Sequence, residues 1–477
     1  MRLAWFSPMP PVRSGVAACT AQLVEGLSPD HQIDVYVDGA AGDQLRHPAV
    51  SSAHDFVWRH RRQPYDLVVY QLGNSSHHDY AWPYLFRYPG LAVLHDAHLH
   101  HARAAALLRT RRAADYRAEF AGAHPGVNPD MAELAVAGFD NALYYAFPMT
   151  RLVVAASRAT AVHGRAMADR LRDEAPGATI EAIRLGHGQL VAPDRAAEAR
   201  RRIRERYAIP SDAIVLGVAG GLSPDKRVSQ VLGAFQHLLA YSPGAHLLLA
   251  GAPAPHYDLA GDVQARGLDG HVTMTGYLEG DEALTDHLCA CDVSLNLRWP
   301  TAREMSGPWL RALAAGIPTV VIDLAHLTDV PSLDPRTWRV QHPAESGERT
   351  AESGERRADS GERSAESGER TAESGPVTVA IDILDEDHSL RLAMRRLASD
   401  AELRARLGAA GQRYWQREHS IDTMLSDYRR LIAMAAARPA PRPALPAHLV
   451  NDGAALLRAL THQAGVDRAP GIAGMLG

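Results

Sequence analysis

Short apolar runs recur along the chain. Each is closed by glycine, proline or a small polar residue and followed by apolar positions at helical spacing. Leu3–Phe6, Gln32–Val37, Leu67–Tyr70, Leu91–Leu94, Leu152–Ala156 and Ile180–Leu185 are expected as strands. Between them lie an amphipathic stretch carrying Ala18, Leu23 and Leu27, and a helical region to about Pro148 that is interrupted at His124–Pro129. A second series opens at Ile214–Val218 and continues at 246–250, 271–275, 293–297 and 319–323. Alternating β and α elements predict α/β architecture with doubly wound parallel sheets and ligands at the strand C-termini. The expected organisation is a domain over 1–188, a second over 189–436 hinged near 189–205, and a proline-rich linker with a tail over 437–477.

The stretch 344–375 breaks this pattern. AESGERT, AESGERR, ADSGERS, AESGERT and a partial AESG repeat every seven residues, with glycine in each unit and no apolar side chain beyond alanine. Such a heptad cannot form a coiled-coil seam, and it reads as a disordered insertion.

With 46% apolar and 22% charged residues, the composition is that of an ordinary globular protein, and the net charge of −5 gives no reason to expect nucleic acid. Cys19, Cys289 and Cys291 are too few for a disulfide framework. No signal peptide is read at the N-terminus, and no apolar run approaches the ~18 residues of a membrane span. The expectation is a cytoplasmic protein, with peripheral membrane contact left open.

One basic residue changes the picture. Of 50 basic residues, Lys226 alone is lysine, which suggests a place that needs a compact point charge rather than a planar fork. It follows a strand, Gly220-Gly221 and the turn Ser223-Pro224-Asp225, and with Arg227 it opens a helix. Strand, glycine turn and helix start with a Lys-Arg pair is a common way to hold phosphate oxygens, although no P-loop motif is present. The bland alternative is a surface loop with a chance lysine. A second helix start follows strand 293–297, with Ser306 or Gly307 at the cap and Pro308 in the first turn. Two phosphate-seeking devices in one domain imply a diphosphate.

Histidines cluster at His77-His78 and at His95, His98, His100 and His101. No carboxylate or cysteine completes an obvious ligand set, so no metal is assigned. Asn74, His77 and His78 lie in a loop at a strand end, where contact with an acceptor or sugar stands beside plain surface polarity. Asp96 could orient His95 or cap the following helix.

Taken in order, a Pro/Ser-Gly loop after the first strand, Leu94-His95-Asp96, the turn carrying Lys226-Arg227 and the Glu304 loop before Arg311-Ala-Leu-Ala-Ala-Gly-Ile-Pro resemble the retaining glycosyltransferases of the GT-B fold, family 4. The resemblance spans roughly residues 1–430 without the repeat. It implies two Rossmann-like domains facing a central cleft, a nucleotide-diphosphate sugar bound by the C-terminal domain, an acceptor on the N-terminal side, and no cofactor or metal. By the same resemblance His95 and Glu304 are the catalytic candidates. Gly15, Lys226, Arg227, Arg298, Ser306 and Gly307 would bind the donor, and Asn74, His77 and His78 the acceptor. Two positions depart from the family. Gly221 stands where an arginine is usual, with Arg227 or Arg298 as substitutes. Arg311 replaces the second glutamate, which usually holds the ribose, and the first appears one place late as Glu304. Two rivals follow: a catalytically inactive GT-B protein that binds a nucleotide sugar or a partner enzyme, and a GT-B epimerase or phosphorylase. Against the epimerase, no acidic pair is placed for proton exchange.

Overall fold

The computed structural model describes residues 1–39, 49–139, 141–255, 257–301, 305–322, 330–341, 375–451 and 454–466. Seven strands form the first sheet: β1 (Arg2–Phe6), β2 (Gln32–Val37), β3 (Ala49–Ser52), β4 (Leu67–Leu72), β5 (Leu91–Leu94), β6 (Ala159–Val162) and β7 (Ile180–Ala182). Their order is β3-β2-β1-β4-β5-β6-β7, and β1 pairs in parallel with both β2 and β4. The second sheet holds β8 (Val215–Ala219), β9 (His246–Ala250), β10 (Val272–Met274), β11 (Val293–Asn296), β12 (Thr319–Ile322), β13 (Ser332–Leu333), β14 (Val340–Gln341) and β15 (Thr378–Ile381). Its order is β10-β9-β8-β11-β12-β15-β13-β14, parallel along β10 to β15 with β14 antiparallel at the edge. Every residue of β4, β5, β8 and β12 is buried, which is why these strands read as unbroken apolar runs.

In both sheets the strand order reverses beside the first strand: between β1 and β4 in one, between β8 and β11 in the other. Connections leave a doubly wound sheet in opposite directions at such a point, so a crevice opens at the strand C-termini. Gly15 and Gln71–Asn74 follow β1 and β4. Lys226 and Arg298–Ser306 follow β8 and β11.

The sequence expectation fails at Leu152–Ala156, which belongs to a helix, Arg151–Ala156. Leu152, Val153, Val154 and Ala156 are buried there. A run buried on nearly every side has no polar phase to separate helix from strand. The strand comes one turn later, as β6. Ile180–Leu185 contributes only β7, although Ile183 N still donates to Val162 O at 3.0 Å or less, 2.8 Å. The repeat 344–375 lies outside the described residues except for Gly375.

Packing divides the chain differently from the sequence boundaries. One unit comprises Met1–Ala161, Arg172–Ile180 and the chain from Leu431 on; the other comprises Val162–Leu171 and Glu181–Arg430. The proline-rich segment expected as a linker therefore belongs to the first unit. His448 Nε2 lies 2.8 Å from the buried Glu119 carboxylate, Leu449 is buried, and Asn451 O accepts from Arg87. Among the described residues no helix is long and apolar enough to cross a membrane.

Candidate functional site

In the second unit, Gly220 ends β8 with φ +89°, a conformation open to glycine at little cost. A Cβ there would lie 2.7 Å from Lys226 Nζ and 3.3 Å from Pro308 Cγ. The only lysine and the first turn of the helix Gly307–Ala314 thus converge on one point. Lys226 Nζ donates to Ala219 O at 2.8 Å, which holds the ammonium over the strand end. Ser306 caps the helix as expected, its Oγ accepting from Trp309 N at 3.4 Å, with Pro308 in the first turn. Lys226, Arg298 and Ser306 line one recess with Ala219, Leu295, Asn296 and Leu297; it measures about 360 Å³ with its open mouth included. An ammonium and a helix N-terminus at one recess make an anion site, since both present positive charge.

Two donor candidates come out differently. Arg227 sits in the left-handed region at φ +57° and turns to Glu386, Nε to Oε1 2.7 Å. This carboxylate holds its pKa above the usual guanidinium value, and the side chain is committed to joining two helices. Arg298 stays at the recess, 3.4 Å from Asp225. Glu304 lies outside the described residues. A Cβ at Gly221, where the arginine would stand, meets nothing within 4 Å.

Arg311, the other departure, is buried one turn into the same helix. Its Nη2 lies 2.5 Å from Asp281 Oδ2, and its Nε donates to His187 Nε2 at 3.1 Å. Burial, then the adjacent guanidinium, lowers the His187 pKa to about 4, so the ring is neutral at pH 7 and can accept. The fit is close: a Cβ at Gly307 would lie 2.9 Å from His187 Nε2, and one at Gly188, φ +89°, 3.2 Å from Arg311 Cα. Sequence reasoning missed both His187 and Asp281. The signal available was the histidine between glycines 186 and 188, which reads only as a strand end.

In the first unit, the ends of β4 and β5 carry the histidines. His95 Nε2 lies 2.7 Å from Gln71 Oε1, so the amide oxygen assigns the proton to Nε2. His78 Nδ1 bonds Gln71 O at 2.9 Å, and burial lowers its pKa to about 4. His78 is thereby an interior group with its polar edge turned to β4, not a surface acceptor contact; His77 is exposed. Asp96 neither orients His95 nor caps a helix in any printed geometry of its side chain: its Oδ2 accepts from Asn74 N at 2.5 Å. Asn74 in turn accepts from Ala102 N at 3.0 Å and lies 3.0 Å from His101 Nδ1. His100 bonds Phe147 O and the Tyr116 hydroxyl, and burial brings it to about 3. Gly15 opens the helix Gly15–Leu27 behind the Ser14 cap, with nothing within 4 Å of a Cβ there.

Residues 213–338 match the family model described as glycosyl transferases group 1. No curated protein matches the chain in sequence. Solved structures do match in three dimensions. Sucrose-phosphate synthase from Thermosynechococcus elongatus is 15% identical with a TM-score of 0.60, over 91% of this chain and 99% of that one. Anabaena HepE in complex with UDP-glucose is 14% identical at a TM-score of 0.56, again over 91% and 99%. The catalytic domain of starch synthase IV from Arabidopsis thaliana, bound to ADP and acarbose, is 13% identical at 0.54, over 92% and 99%. The fold is GT-B. It has two Rossmann-like α/β units, and the matched stretch holds Lys226, Asp281, Arg298, Ser306, Gly307 and Arg311.

Proposed function

We propose that the chain is a retaining, metal-independent glycosyltransferase of the cytoplasm. It would move a sugar from a nucleotide-diphosphate sugar to a glycan, lipid or small-molecule acceptor. The observation that carries this reading is the meeting of Lys226 Nζ and the Gly307–Ala314 helix start at Gly220, inside the stretch that matches glycosyl transferases group 1. When the bond between the anomeric carbon and the diphosphate breaks, negative charge grows on the leaving phosphate. A fixed ammonium and fixed N–H groups stabilise that charge without reorganising. Arg298 adds a second cation at the same recess. HepE with UDP-glucose and starch synthase IV with ADP show the kind of ligand that proteins of this fold bind. His95, held through Nε2 by Gln71, is assigned to the transferred sugar, with Glu304 as its partner in the donor loop. Gly15 and Asn74 stand at the ends of β1 and β4, with open space in front of Gly15.

Lys226→Ala tests the reading. Transfer, or slow release of nucleoside diphosphate from the donor, should fall by the equivalent of about 2–4 kcal/mol of transition-state stabilisation. The melting temperature should stay close to that of the wild type, since one hydrogen bond to Ala219 O is lost. Near-normal turnover would remove the lysine from the chemistry. The product's anomeric configuration, read by NMR, should match the donor's, and inversion would end the retaining assignment.

A further inference from the structure

Arg311 is a buried cation and needs a counter-charge. His187, neutral, supplies an acceptor but no charge, so the charge comes from Asp281. An aspartate in the first turn of a helix, here Gly280–Cys289, is ordinarily explained by the helix dipole. That role needs no arginine. The pairing is also uneven: the Arg311 side chain is 5% exposed, while that of Asp281 is 50% exposed. Among the described residues only Arg311 bonds this carboxylate. Oδ2 is clamped from behind, and the other oxygen is turned to solvent.

The clamp stands in a particular place. Arg311 lies four residues beyond Gly307, ~6 Å along the axis at 1.5 Å per residue. A diphosphate held at the start of this helix carries its nucleoside on the next unit of the ligand, and that unit begins with a ribose. Its 2′- and 3′-hydroxyls are neighbouring donors, and a carboxylate accepts two O–H bonds at once. A carboxylate already fixed by a guanidinium loses little freedom on doing so.

We propose that Asp281, clamped by Arg311, accepts the ribose hydroxyls of the donor, so that the site takes ribonucleoside rather than 2′-deoxyribonucleoside diphosphates. This rests on the donor reading above, and the test separates the two. Calorimetry would compare UDP, GDP and ADP with their 2′-deoxy counterparts and with pyrophosphate, for the wild type, Asp281→Asn and Lys226→Ala. Whichever ribonucleotide binds, its 2′-deoxy form should bind ~10-fold more weakly or worse, the usual size of a lost hydrogen bond to a charged group. Asp281→Asn should lower ribonucleotide affinity by a similar factor and leave pyrophosphate unchanged, so that the ribo-to-deoxy ratio falls towards one. Equal affinity for ribo and deoxy forms in the wild type overturns the assignment, as does an unchanged ratio in Asp281→Asn. If the variant fails to fold, the wild-type ratio decides alone. Pyrophosphate binding lost in Lys226→Ala supports the donor site independently of Asp281. If neither pyrophosphate nor any nucleotide binds the wild type, the donor reading and this inference both fall.

Discussion

A single ε-amine in 477 residues makes the central charge chemically addressable. Lys226 is part-buried and held at Ala219 O, and Gly220 leaves room for its Nζ and for nothing else at that point. Acetylation of this amine removes the charge, whereas reductive methylation keeps it. Acetylation should therefore abolish donor binding, methylation should preserve much of it, and bound nucleoside diphosphate should protect the lysine. Peptide mass spectrometry against activity checks this, and an acetylated, fully active protein would contradict it. Arg227 shows why the neighbouring position cannot stand in. Its guanidinium is tied to Glu386, so Arg227→Ala should lower stability and leave nucleotide affinity alone.

At the scale of elements, the phosphate-facing helix is held from below. It runs into Gly316, φ +70°, and the helix Ala401–Glu418 rides directly against that turn. A Cβ at Gly408 would lie 2.1 Å from Gly316 O and 3.0 Å from its carbonyl carbon; one at Gly411 would lie 2.8 Å from Leu313 Cδ2. By helix propensity alone, Gly408→Ala should stabilise by about 1 kcal/mol. The overlap is with backbone, which cannot rotate away, and overpacking of this kind costs about 1–3 kcal/mol or more. The clash should win. Denaturant titration of Gly408→Ala should show destabilisation of the second unit, and Gly411→Ala a smaller effect, because Leu313 can change rotamer. A more stable Gly408→Ala would show that the two helices have room to separate.

For the whole molecule, the sign of the pH dependence follows from its buried histidines. His78, His124, His163, His187, His246 and His419 are each lowered to about 4 and His100 to about 3, with burial the largest cause in every case. A histidine whose pKa is lowered by folding contributes stability above its unfolded value of about 6.5. As pH falls below that value, the unfolded chain takes up protons that the folded chain refuses, and the contribution is lost on the way to about 4. Asp79 works the other way. Burial raises it to about 6, so it favours the folded state as pH falls from 6 towards its ordinary value near 3.8. One carboxyl against seven imidazoles leaves acid destabilisation as the net result. Melting curves at pH 7.5 and 5.0 should differ by ~5 °C or more, with both units affected because each holds several of these rings. Two units need not melt together, so the transitions are to be followed separately. Equal stability at the two pH values would mean that these histidines reach solvent.

The chain by itself determined the two series of strands and helices. Fully buried parallel strands must be written as apolar runs and closed by glycine or proline, and that pattern survives without any partner in view. It likewise marked Lys226, because a lone lysine among arginines is a compositional signal, and the Ser306 cap, because capping is local chemistry within three residues. The helix at Arg151–Ala156 was illegible since burial on all sides erases the period. What only the tertiary structure decided is which distant groups meet. Arg311 finds His187 across 124 positions and Asp281 across 30, and Arg227 finds Glu386 across 159. The packing of helices that carry these side chains selects such pairs, and a charge pattern along the chain offers many equivalent alternatives. The same holds for His78, whose turn inward to Gln71 O depends on the path of a loop that no periodicity describes.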